Sequence, residues 1–357
     1  MVTSLDGAES MSGFQFPNIN PVDSDRLRKL RSTIGSGPVL ILTHDNPDPD
    51  AFASGKVFAT LFQVAWGISS RLVYSGMVAR AENKAMLRLL TPEWEQEDVL
   101  SDIKHYSAIV LVDTQPGAGN NSLMDGVDPQ VVIDHHYPIQ KGLDRIAFTD
   151  VRTEMGATVS LAFQYLEAAG IIPDEGLATA IFYGIHADTM GLSRGGSTTD
   201  QEIYIQLLKL INRDLLAQIA QARLPREYFS TFTRGLRATR IYGQVVICCL
   251  GEMHHPDFVA EIADLLIRLE NIRAALCLGY HHRTIYLSLR TMQPEMDAGS
   301  LIQKVVVPPG KAGGHGTIAG GRMPLNAGSV DRIVAEIESR FLRVMGETTH
   351  KGEDLLL

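Results

Sequence analysis

The sequence predicts an α/β protein with two domains, and three observations lead to that prediction. Four short runs of apolar, mostly β-branched residues alternate with helical stretches between residues 38 and 133. Continuous apolar runs of this kind are typical of a parallel sheet that is covered on both faces. A second series of strand-like and helix-like segments begins at Ile241. With 357 residues, the chain is also long enough to form two packed cores.

Local patterns predict the individual elements. A first helix is expected around residues 23–32, and the capping-box spacing of Thr199 and Glu202 indicates a second helix over about 199–210. A longer helical stretch at about 215–239 should break at Pro225. The predicted strands are residues 39–42, 71–74, 108–112 and 131–133 in the first domain, and 244–250, 275–280 and 284–289 in the second.

Composition changes along the chain predict the domain boundaries. Residues 1–20 are rich in Gly, Ser, Asn and Pro without any periodicity, which indicates a flexible tail. We expect the first domain at 21–225, a helical connector at 226–240, and a second, smaller α/β domain at 241–345 that faces the first across a cleft. Residues 346–357 are expected to form a second tail.

Charge and apolar content limit the classes of function. The formal net charge of −9 argues against an enzyme that tracks along long nucleic acid, although a local basic groove can exist on an acidic protein. The sequence has neither a secretory leader nor a long apolar stretch, so we expect a cytoplasmic protein without membrane contact. Its three cysteines cannot form a disulfide framework and are interpreted as buried thiols.

Acidic and imidazole side chains follow three of the predicted strands. His44, Asp48 and Asp50 come after the first run, Asp113 after the third, and Asp134-His135-His136 after the fourth. Because ligands of open α/β sheets bind beyond the carboxyl ends of the strands, these side chains should converge. Asp188, which follows a helical segment predicted at 176–183, is a further candidate.

Clustered carboxylates repel one another, so a crevice that holds several of them with histidines needs cations. Oxygen ligands suit magnesium and manganese, and imidazole shifts the preference toward manganese or a neighbouring ion such as cobalt. We therefore expect two divalent ions, with Mn²⁺ first and Mg²⁺ or Co²⁺ as alternatives. Two metals about 3.5–4 Å apart form the usual clamp for displacement at phosphorus, which predicts hydrolytic phosphoryl transfer. The expected ligands are His44, Asp48, Asp50, Asp113, His135 and Asp188.

Four motifs, in this order along the chain, resemble those of the DHH phosphoesterase family. They are His44-Asp45-Asn46-Pro47-Asp48-Pro49-Asp50-Ala51, Val112-Asp113-Thr114, Asp134-His135-His136 and Gly184-Ile185-His186-Ala187-Asp188-Thr189. The later segments Ser288-Leu289-Arg290, Ala312-Gly313-Gly314-His315-Gly316 and Ala319-Gly320-Gly321 resemble the DHH-associated C-terminal domain of the oligoribonuclease (nanoRNase) and pAp phosphatase subgroup. The resemblance covers about residues 20–345.

The resemblance implies a role for each candidate in the first domain. His44 and Asp48 would bind one metal, and Asp50, His135 and Asp188 the other, with Asp113 bridging both. His136 would face the scissile phosphate, and Asp134 would orient the histidines.

In the second domain, a Gly-rich loop would let backbone N–H groups approach a phosphate, and cationic side chains would add hydrogen bonds. An ion pair at a strand end is the competing interpretation of Arg290. The expected substrate-binding residues are Arg290, Gly313, Gly314, His315, Gly316 and Arg322.

The function expected from these features is hydrolysis, by metal-activated water, of short oligonucleotides or of 3′,5′-bisphosphorylated nucleosides such as pAp. Alternative activities are those of a cyclic-dinucleotide phosphodiesterase, an exopolyphosphatase or pyrophosphatase, and a single-strand exonuclease. A catalytically silent nucleotide sensor is the alternative from another class. The expected partner is a nucleotide or a short single-stranded oligonucleotide, and a homodimer is left open.

Overall fold

A computed structural model describes residues 22–100, 103–124, 126–325, 330–348 and 351–356, with the backbone alone at Pro294 and His315. The chain divides into two compact units, Met1–Ala222 and Arg223–Leu357. The predicted N-terminal tail, residues 1–20, lies outside the described residues.

The first unit contains a six-stranded sheet in which every neighbouring pair is parallel, as the apolar runs predict. The strand order is β3-β2-β1-β4-β5-β6, so the order reverses next to β1. Two short strands with polar residues, β3 and β6, were not predicted. The strands are β1 (Val39–Leu42), β2 (Ser70–Tyr74), β3 (Trp94–Gln96), β4 (Ala108–Val112), β5 (Val131–Asp134) and β6 (Phe148–Val151).

Seven helices belong to the described part of this unit. They are α1 (Ser24–Ile34), α2 (Pro49–Trp66), α3 (Ala81–Leu89), α4 (Thr158–Ala168), α5 (Glu175–Thr189), α6 (Thr198–Leu207) and α7 (Arg213–Ala220).

The start of α6 differs from the prediction. Ser197 and Asp200, rather than Thr199 and Glu202, form the capping box, because Asp200 is fully buried and its carboxylate also accepts a hydrogen bond from Gly156 N–H at 2.7 Å. A tertiary contact of Asp200 therefore decides which of the two possible capping boxes forms at the start of α6.

Both faces of the first sheet are buried, which explains the continuous apolar runs. One face packs against α1, α2, α4 and α5 through residues such as Ile41, Phe52 and Val159. The other face, which includes Leu40 and Leu111, packs against side chains from connecting segments such as Ile146. The helices thus lie mainly on one side, and connecting segments cover the other.

The second unit contains a seven-stranded mixed sheet with the order β11-β12-β10-β9-β8-β7-β13. Among the described strands of this second sheet, β8 and β9 form the only parallel pair, and the other neighbouring strands are antiparallel. The strands are β7 (Thr239–Tyr242), β8 (Val245–Glu252), β9 (Ala274–His281), β10 (Thr284–Thr291), β11 (Lys311–His315), β12 (Ile318–Pro324) and β13 (Glu353–Asp354). Because β13 pairs with β7, part of the expected C-terminal tail belongs to this sheet.

Two pairs of helices cover the second sheet. The helices α8 (Arg226–Ala238) and α9 (Phe258–Leu266) pack on one face, and α10 (Ala298–Val305) and α11 (Val330–Met345) pack on the other. The predicted break at Pro225 is observed, since this proline is the residue before α8. Cys248 and Cys277 are buried as predicted, but Cys249 is only partly buried, and its Sγ lies 3.0 Å from a Glu338 oxygen.

In the part of the chain that the structure describes, no helix combines the length and the apolar character needed to cross a membrane.

Candidate metal centre

The first motif forms the connection between β1 and α2. Asp48 is the N-cap of α2 and accepts a hydrogen bond from Ala51 N–H at 3.1 Å, while Pro49 occupies the first turn, where a missing N–H costs nothing. Asn46 has a φ of +56°, a left-handed conformation that asparagine tolerates, and its side chain accepts a hydrogen bond from Met77 N–H. The turn chemistry thus places His44, Asp48 and Asp50 at the carboxyl end of β1.

Asp113 follows β4 directly and is 1% exposed. Its φ of +59° is uncommon for a residue with a side chain, although aspartate adopts this left-handed conformation more readily than most residues. The Thr158 hydroxyl donates a hydrogen bond to Asp113 Oδ1 at 2.8 Å, which fixes one carboxylate oxygen. Because β1 and β4 are neighbours, Asp113 lies beside the first motif.

The six expected ligands lie together. His44 Nε2 is 3.3 Å from Asp113 Oδ2 and 3.9 Å from Asp48 Oδ1. His135 Nε2 is 3.3 Å from Asp188 Oδ2, 3.7 Å from Asp113 Oδ1 and 3.9 Å from Asp50 Oδ2. Three groups of side chains could each hold a metal ion: His44, Asp48 and Asp113; Asp50, His135 and Asp188; and Asp113, His135 and His136.

Asp188 reaches this centre from a helix. The sequence predicted that it follows a helix ending near residue 183, but α5 continues to Thr189, and Asp188 lies in its last turn. The carboxylate therefore comes from a rigid element, and the following Met190, Gly191 and Leu192 all have left-handed φ angles of 49° to 68°. The predicted segment stopped just before Gly184, a residue that disfavours helix interiors but that is buried within α5 here.

His135 Nε2 provides a test of whether a cation fits here. This atom is buried and forms no hydrogen bond within the described residues, although three carboxylates surround it. A buried imidazole nitrogen without a partner is costly, and a metal ion would satisfy it. The donor set of imidazole nitrogen and carboxylate oxygen suits manganese and related divalent ions.

The pKa shifts of the clustered side chains indicate that this centre favours bound positive charge. Burial, together with Asp188, raises the pKa of Asp48 to about 6, and burial and Asp113 raise the pKa of Asp50 well above its usual value. Burial alone would lower the pKa of His44, but Asp113 and Asp48 raise it to about 10. Protons bound to Asp48, Asp50 and His44 would reduce the repulsion among the carboxylates, and bound divalent cations would replace these protons.

His136 is held differently from His135. Its Nδ1 lies 2.8 Å from Asp134 Oδ1, whereas His135 Nδ1 lies 3.1 Å from the Met155 carbonyl oxygen. Asp134 therefore orients His136, and a backbone carbonyl orients His135. The His136 side chain is 45% exposed, so its ring remains accessible.

Sequence reasoning missed three residues that position this centre. Gln115 donates hydrogen bonds to Asp134 Oδ2 at 2.6 Å and to the His136 carbonyl at 2.9 Å, and it follows the Asp113-Thr114 pair directly. The backbone N–H groups of Thr158 and Val159, at the start of α4, each donate to one oxygen of Asp50 at 2.7 Å. The position of Gln115 directly after Asp113-Thr114 could have identified it as a candidate site residue. Nothing in the sequence around α4 indicates the contact of this helix with Asp50.

The candidates of the second unit are only partly brought together. The predicted Gly-rich loop is a hairpin, because Lys311–His315 form β11 and pair with β12. The end of β10 reaches the hairpin turn, where Thr291 N–H donates to the Thr317 carbonyl at 3.0 Å. Arg322 is separate from this group, since it pairs opposite Tyr286, four residues along the strand from Arg290.

The Arg290 guanidinium is largely buried and already has partners. It forms a salt bridge with Asp264 at 2.5 Å and donates a hydrogen bond to Ser288 Oγ at 2.7 Å. The ion-pair interpretation of Arg290 therefore describes its contacts here.

Glycine is required at one hairpin position and optional at another. Gly314 has a φ of +154°, and a Cβ added there would lie 2.3 Å from the Ile318 carbonyl oxygen. A Cβ added at Gly313 would meet no atom of the described residues within 4 Å. The Gly313 position is therefore open on the side where a side chain would extend.

Comparisons with known proteins agree with these motifs. An uncharacterized protein of Methanocaldococcus jannaschii is 32% identical over 320 residues, which cover 87% of this chain and 64% of that protein. The A-adding tRNA nucleotidyltransferase of Geobacter sulfurreducens is 22% identical over 322 residues, covering 86% of this chain and 34% of that protein. The chain thus spans less than two thirds of the length of either curated relative.

A crystal structure with a similar fold is that of an exopolyphosphatase-related protein from Bacteroides fragilis, with a TM-score of 0.68 and 15% sequence identity. The match covers 89% of this chain and 96% of that chain. Residues 38–185 match the model of the DHH family, N-terminal domain. This range contains five of the six expected metal ligands and ends three residues before the sixth, Asp188. The chain thus contains a region similar to the N-terminal domain of the DHH family.

Proposed function

We propose that this protein is a metal-dependent phosphoesterase that hydrolyses short oligonucleotides or 3′,5′-bisphosphorylated nucleosides such as pAp. The observation that carries the proposal is the arrangement around Asp113, whose two oxygens face two separate histidines. His44 lies 3.3 Å from one oxygen and His135 lies 3.7 Å from the other. A carboxylate placed between two donor groups is suited to bridging two cations.

The proposed ligand sets follow the donor groups. His44 and Asp48 would hold one ion and Asp50, His135 and Asp188 the other, with Asp113 available to both. Bound divalent ions would lower the pKa of a water molecule and neutralise charge on a phosphoryl group. The protein keeps the ligands in place through N–H donors to Asp50 and the Thr158 hydroxyl on Asp113.

His136 is proposed to bind the reacting phosphate rather than a metal. Its Nδ1 is occupied by Asp134, so the accessible nitrogen is Nε2. Burial alone would lower the pKa of His136, but Asp134 and Asp113 raise it, which favours an imidazolium that can donate to a phosphate oxygen. Asp134 and Gln115 fix the direction of that donor before substrate arrives.

Nucleotide selection is assigned to the hairpin of the second unit, where Gly313, Gly314, His315 and Gly316 are proposed to contact the substrate. Arg290 and Arg322 remain candidates for the same role. Two similar proteins, an A-adding tRNA nucleotidyltransferase and an exopolyphosphatase-related protein, are named for nucleotides and polyphosphate. Both substrate classes therefore belong in the test.

A turnover screen tests the proposal. The purified chain, loaded with Mn²⁺, is assayed on pAp, 5′-phosphorylated dinucleotides, decanucleotides, cyclic dinucleotides and polyphosphate. We expect metal-dependent hydrolysis that is fastest on pAp or dinucleotides. The Asp113→Asn variant is the matched control, because it removes the charge and keeps the shape. Preferential turnover of polyphosphate or long strands would move the assignment to an exopolyphosphatase or exonuclease, and metal binding without any turnover would indicate a sensor.

A further inference from the structure

One exposed face of α8 in the second unit carries arginines around an aromatic ring. It lines a shallow groove of about 470 Å³, and we call this surface the α8 face. Its residues are Arg226, Phe229, Ser230, Thr233, Arg234 and Arg237. These positions recur at the three- and four-residue spacing that places side chains on one side of a helix. The α8 face is therefore a continuous stripe rather than a scattered set.

The opposite side of α8 explains why this face is exposed. Thr231 and Gly235 are buried, and Tyr228, Phe232 and Leu236 pack against the core beneath the sheet. A Cβ at Gly235 would lie 2.6 Å from Leu250 Cδ2, so the helix sits tightly on β8. The packing side is fixed, and the arginines face outward.

The charge on the α8 face is not balanced locally. Arg234 donates to the Leu250 carbonyl at 2.9 Å and to the Glu252 carbonyl, and neutral carbonyls leave its charge intact. Among the described residues, Arg226, Arg234 and Arg237 form no salt bridge. No acidic residue lines the groove. On a chain with a net charge of −9, this local excess of positive charge needs an explanation.

A second arginine-bearing helix face in the same unit provides a contrast. On α11, Arg332 and Arg340 both form salt bridges with Glu336, each at 3.2 Å, and the groove there contains no aromatic residue. That face has the composition of an ordinary solvated helix surface. On the α8 face, by contrast, Phe229 is 57% exposed in the middle of unpaired arginines.

We propose that the α8 face binds single-stranded nucleic acid, with the arginines on backbone phosphates and Phe229 stacked on a base. Stacking on exposed aromatic rings together with cationic contacts to phosphate is the general mode of sequence-independent single-strand binding. Eleven residues separate Arg226 from Arg237, which at 1.5 Å per residue is about 16 Å, enough for several nucleotides. A second copy of the chain fits less well, because two like-charged faces repel. Free polyphosphate could satisfy the arginines but not Phe229.

Binding is measured by fluorescence anisotropy of a labelled oligouridylate, with the full-length protein in the presence of a chelator so that no hydrolysis occurs. Arg226→Ser combined with Arg237→Ser should weaken binding roughly 3- to 30-fold at low salt, the scale of two exposed ion pairs. The slope of log affinity against log salt should become less steep by about 1.4, since each phosphate contact to a single strand contributes ~0.7. The matched control, Arg332→Ser combined with Arg340→Ser, removes the same charge from α11 and should change neither quantity.

The Phe229→Ala variant tests whether the α8 face binds nucleic acid rather than polyphosphate or a second copy of the chain. It should weaken oligouridylate binding about fivefold or more while leaving the salt slope unchanged, because stacking releases no counterions. Hydrolysis of bis-p-nitrophenyl phosphate should persist in every α8 variant, so failure of this proposal can be distinguished from failure of the proposed catalytic function. Equal losses in the α11 control, or polyphosphate binding as tight as oligouridylate binding with no effect of Phe229→Ala, would overturn the proposal. Phe229→Ala that alters only self-association in sedimentation would also overturn it.

Discussion

Asp134 Oδ1 lies 2.8 Å from His136 Nδ1, while Nδ1 of the adjacent His135 lies 3.1 Å from the Met155 carbonyl oxygen and its Nε2 faces Asp188, Asp113 and Asp50. Two consecutive residues at the end of one strand thus have different surroundings. His136 is 45% exposed, and His135 is 13% exposed. The difference supports separate roles for the pair.

The first prediction tests this division. His135→Ala should lower the bound-metal content, because His135 supplies the buried Nε2 of one donor group. His136→Ala should retain the metals and reduce kcat by roughly 10²–10³-fold, the cost of losing one preorganised donor to developing charge. Metal analysis and steady-state kinetics measure both effects. If His136→Ala lost as much metal as His135→Ala, the result would instead support a metal site formed by Asp113, His135 and His136.

The second prediction concerns Asp113. Because its oxygens face both His44 and His135, Asp113→Ala should reduce metal content at both proposed sites and abolish phosphodiester hydrolysis. Titration with Mn²⁺, followed by electron paramagnetic resonance of the free ion, gives the stoichiometry. His44→Ala is the comparison and should affect one ion more than the other. Unchanged metal content with near-normal turnover of Asp113→Ala would falsify the site assignment.

The sequence predicted the parts of this centre that depend on local pattern. The strand runs around Ile41 and Val110 and the polar residues at their ends were sufficient to predict a parallel sheet with a site at its carboxyl edge. The contact of Asp50 with the start of α4 spans more than one hundred residues and has no local signal. The capping box of α6 was misplaced for a similar reason, since the hydrogen bond from Gly156 N–H to the buried Asp200 carboxylate decides it. The missed strands β3 and β6 are short and carry polar residues, so they lack the apolar run by which the other strands were found.

The third prediction is a dependence of stability on pH at Glu167. One of its oxygens is buried without a hydrogen-bond partner among the described residues, and burial raises the pKa of this carboxyl to about 7. The unfolded chain ionises near the ordinary value of about 4.3, so folding becomes less favourable as pH rises from there through about 7. Glu167→Gln should therefore stabilise the protein above about pH 8 by at most about 1 kcal/mol after solvent screening, and should have little effect near pH 4.

Thermal denaturation at the two pH values measures the Glu167 effect. Glu202→Gln, at an exposed position of α6 in the same unit, is the matched control and should show no such dependence. An equal gain from Glu167→Gln at both pH values would mean that the carboxyl charge is not the cause.

The fourth prediction concerns the pair of Arg290 and Asp264. Arg290→Ala removes the buried guanidinium that forms the salt bridge with the partly buried Asp264 carboxylate, so it should lower the free energy of unfolding by roughly 2–4 kcal/mol. Asp264→Ala should also destabilise the protein, and the double variant should cost less than the sum of the single changes. Denaturant unfolding of the four proteins measures the coupling. Full additivity, with a selective loss of pAp hydrolysis in Arg290→Ala, would instead assign Arg290 to substrate.

The last prediction uses the two adjacent glycines of the β11–β12 hairpin. Gly313→Ala adds a methyl group where no atom of the described residues lies within 4 Å, so stability should change little. If a phosphate approaches the backbone there, the same methyl group should lower kcat/KM on pAp by about 10-fold, the scale of a lost charged hydrogen bond, while bis-p-nitrophenyl phosphate hydrolysis persists. Gly314→Ala is the structural comparison, because its Cβ would lie 2.3 Å from a carbonyl oxygen at a φ of +154° and should destabilise the hairpin itself. Thermal unfolding and kinetics on both substrates separate the two effects. Unchanged pAp kinetics in a stable Gly313→Ala protein would remove this hairpin position from the proposed substrate site.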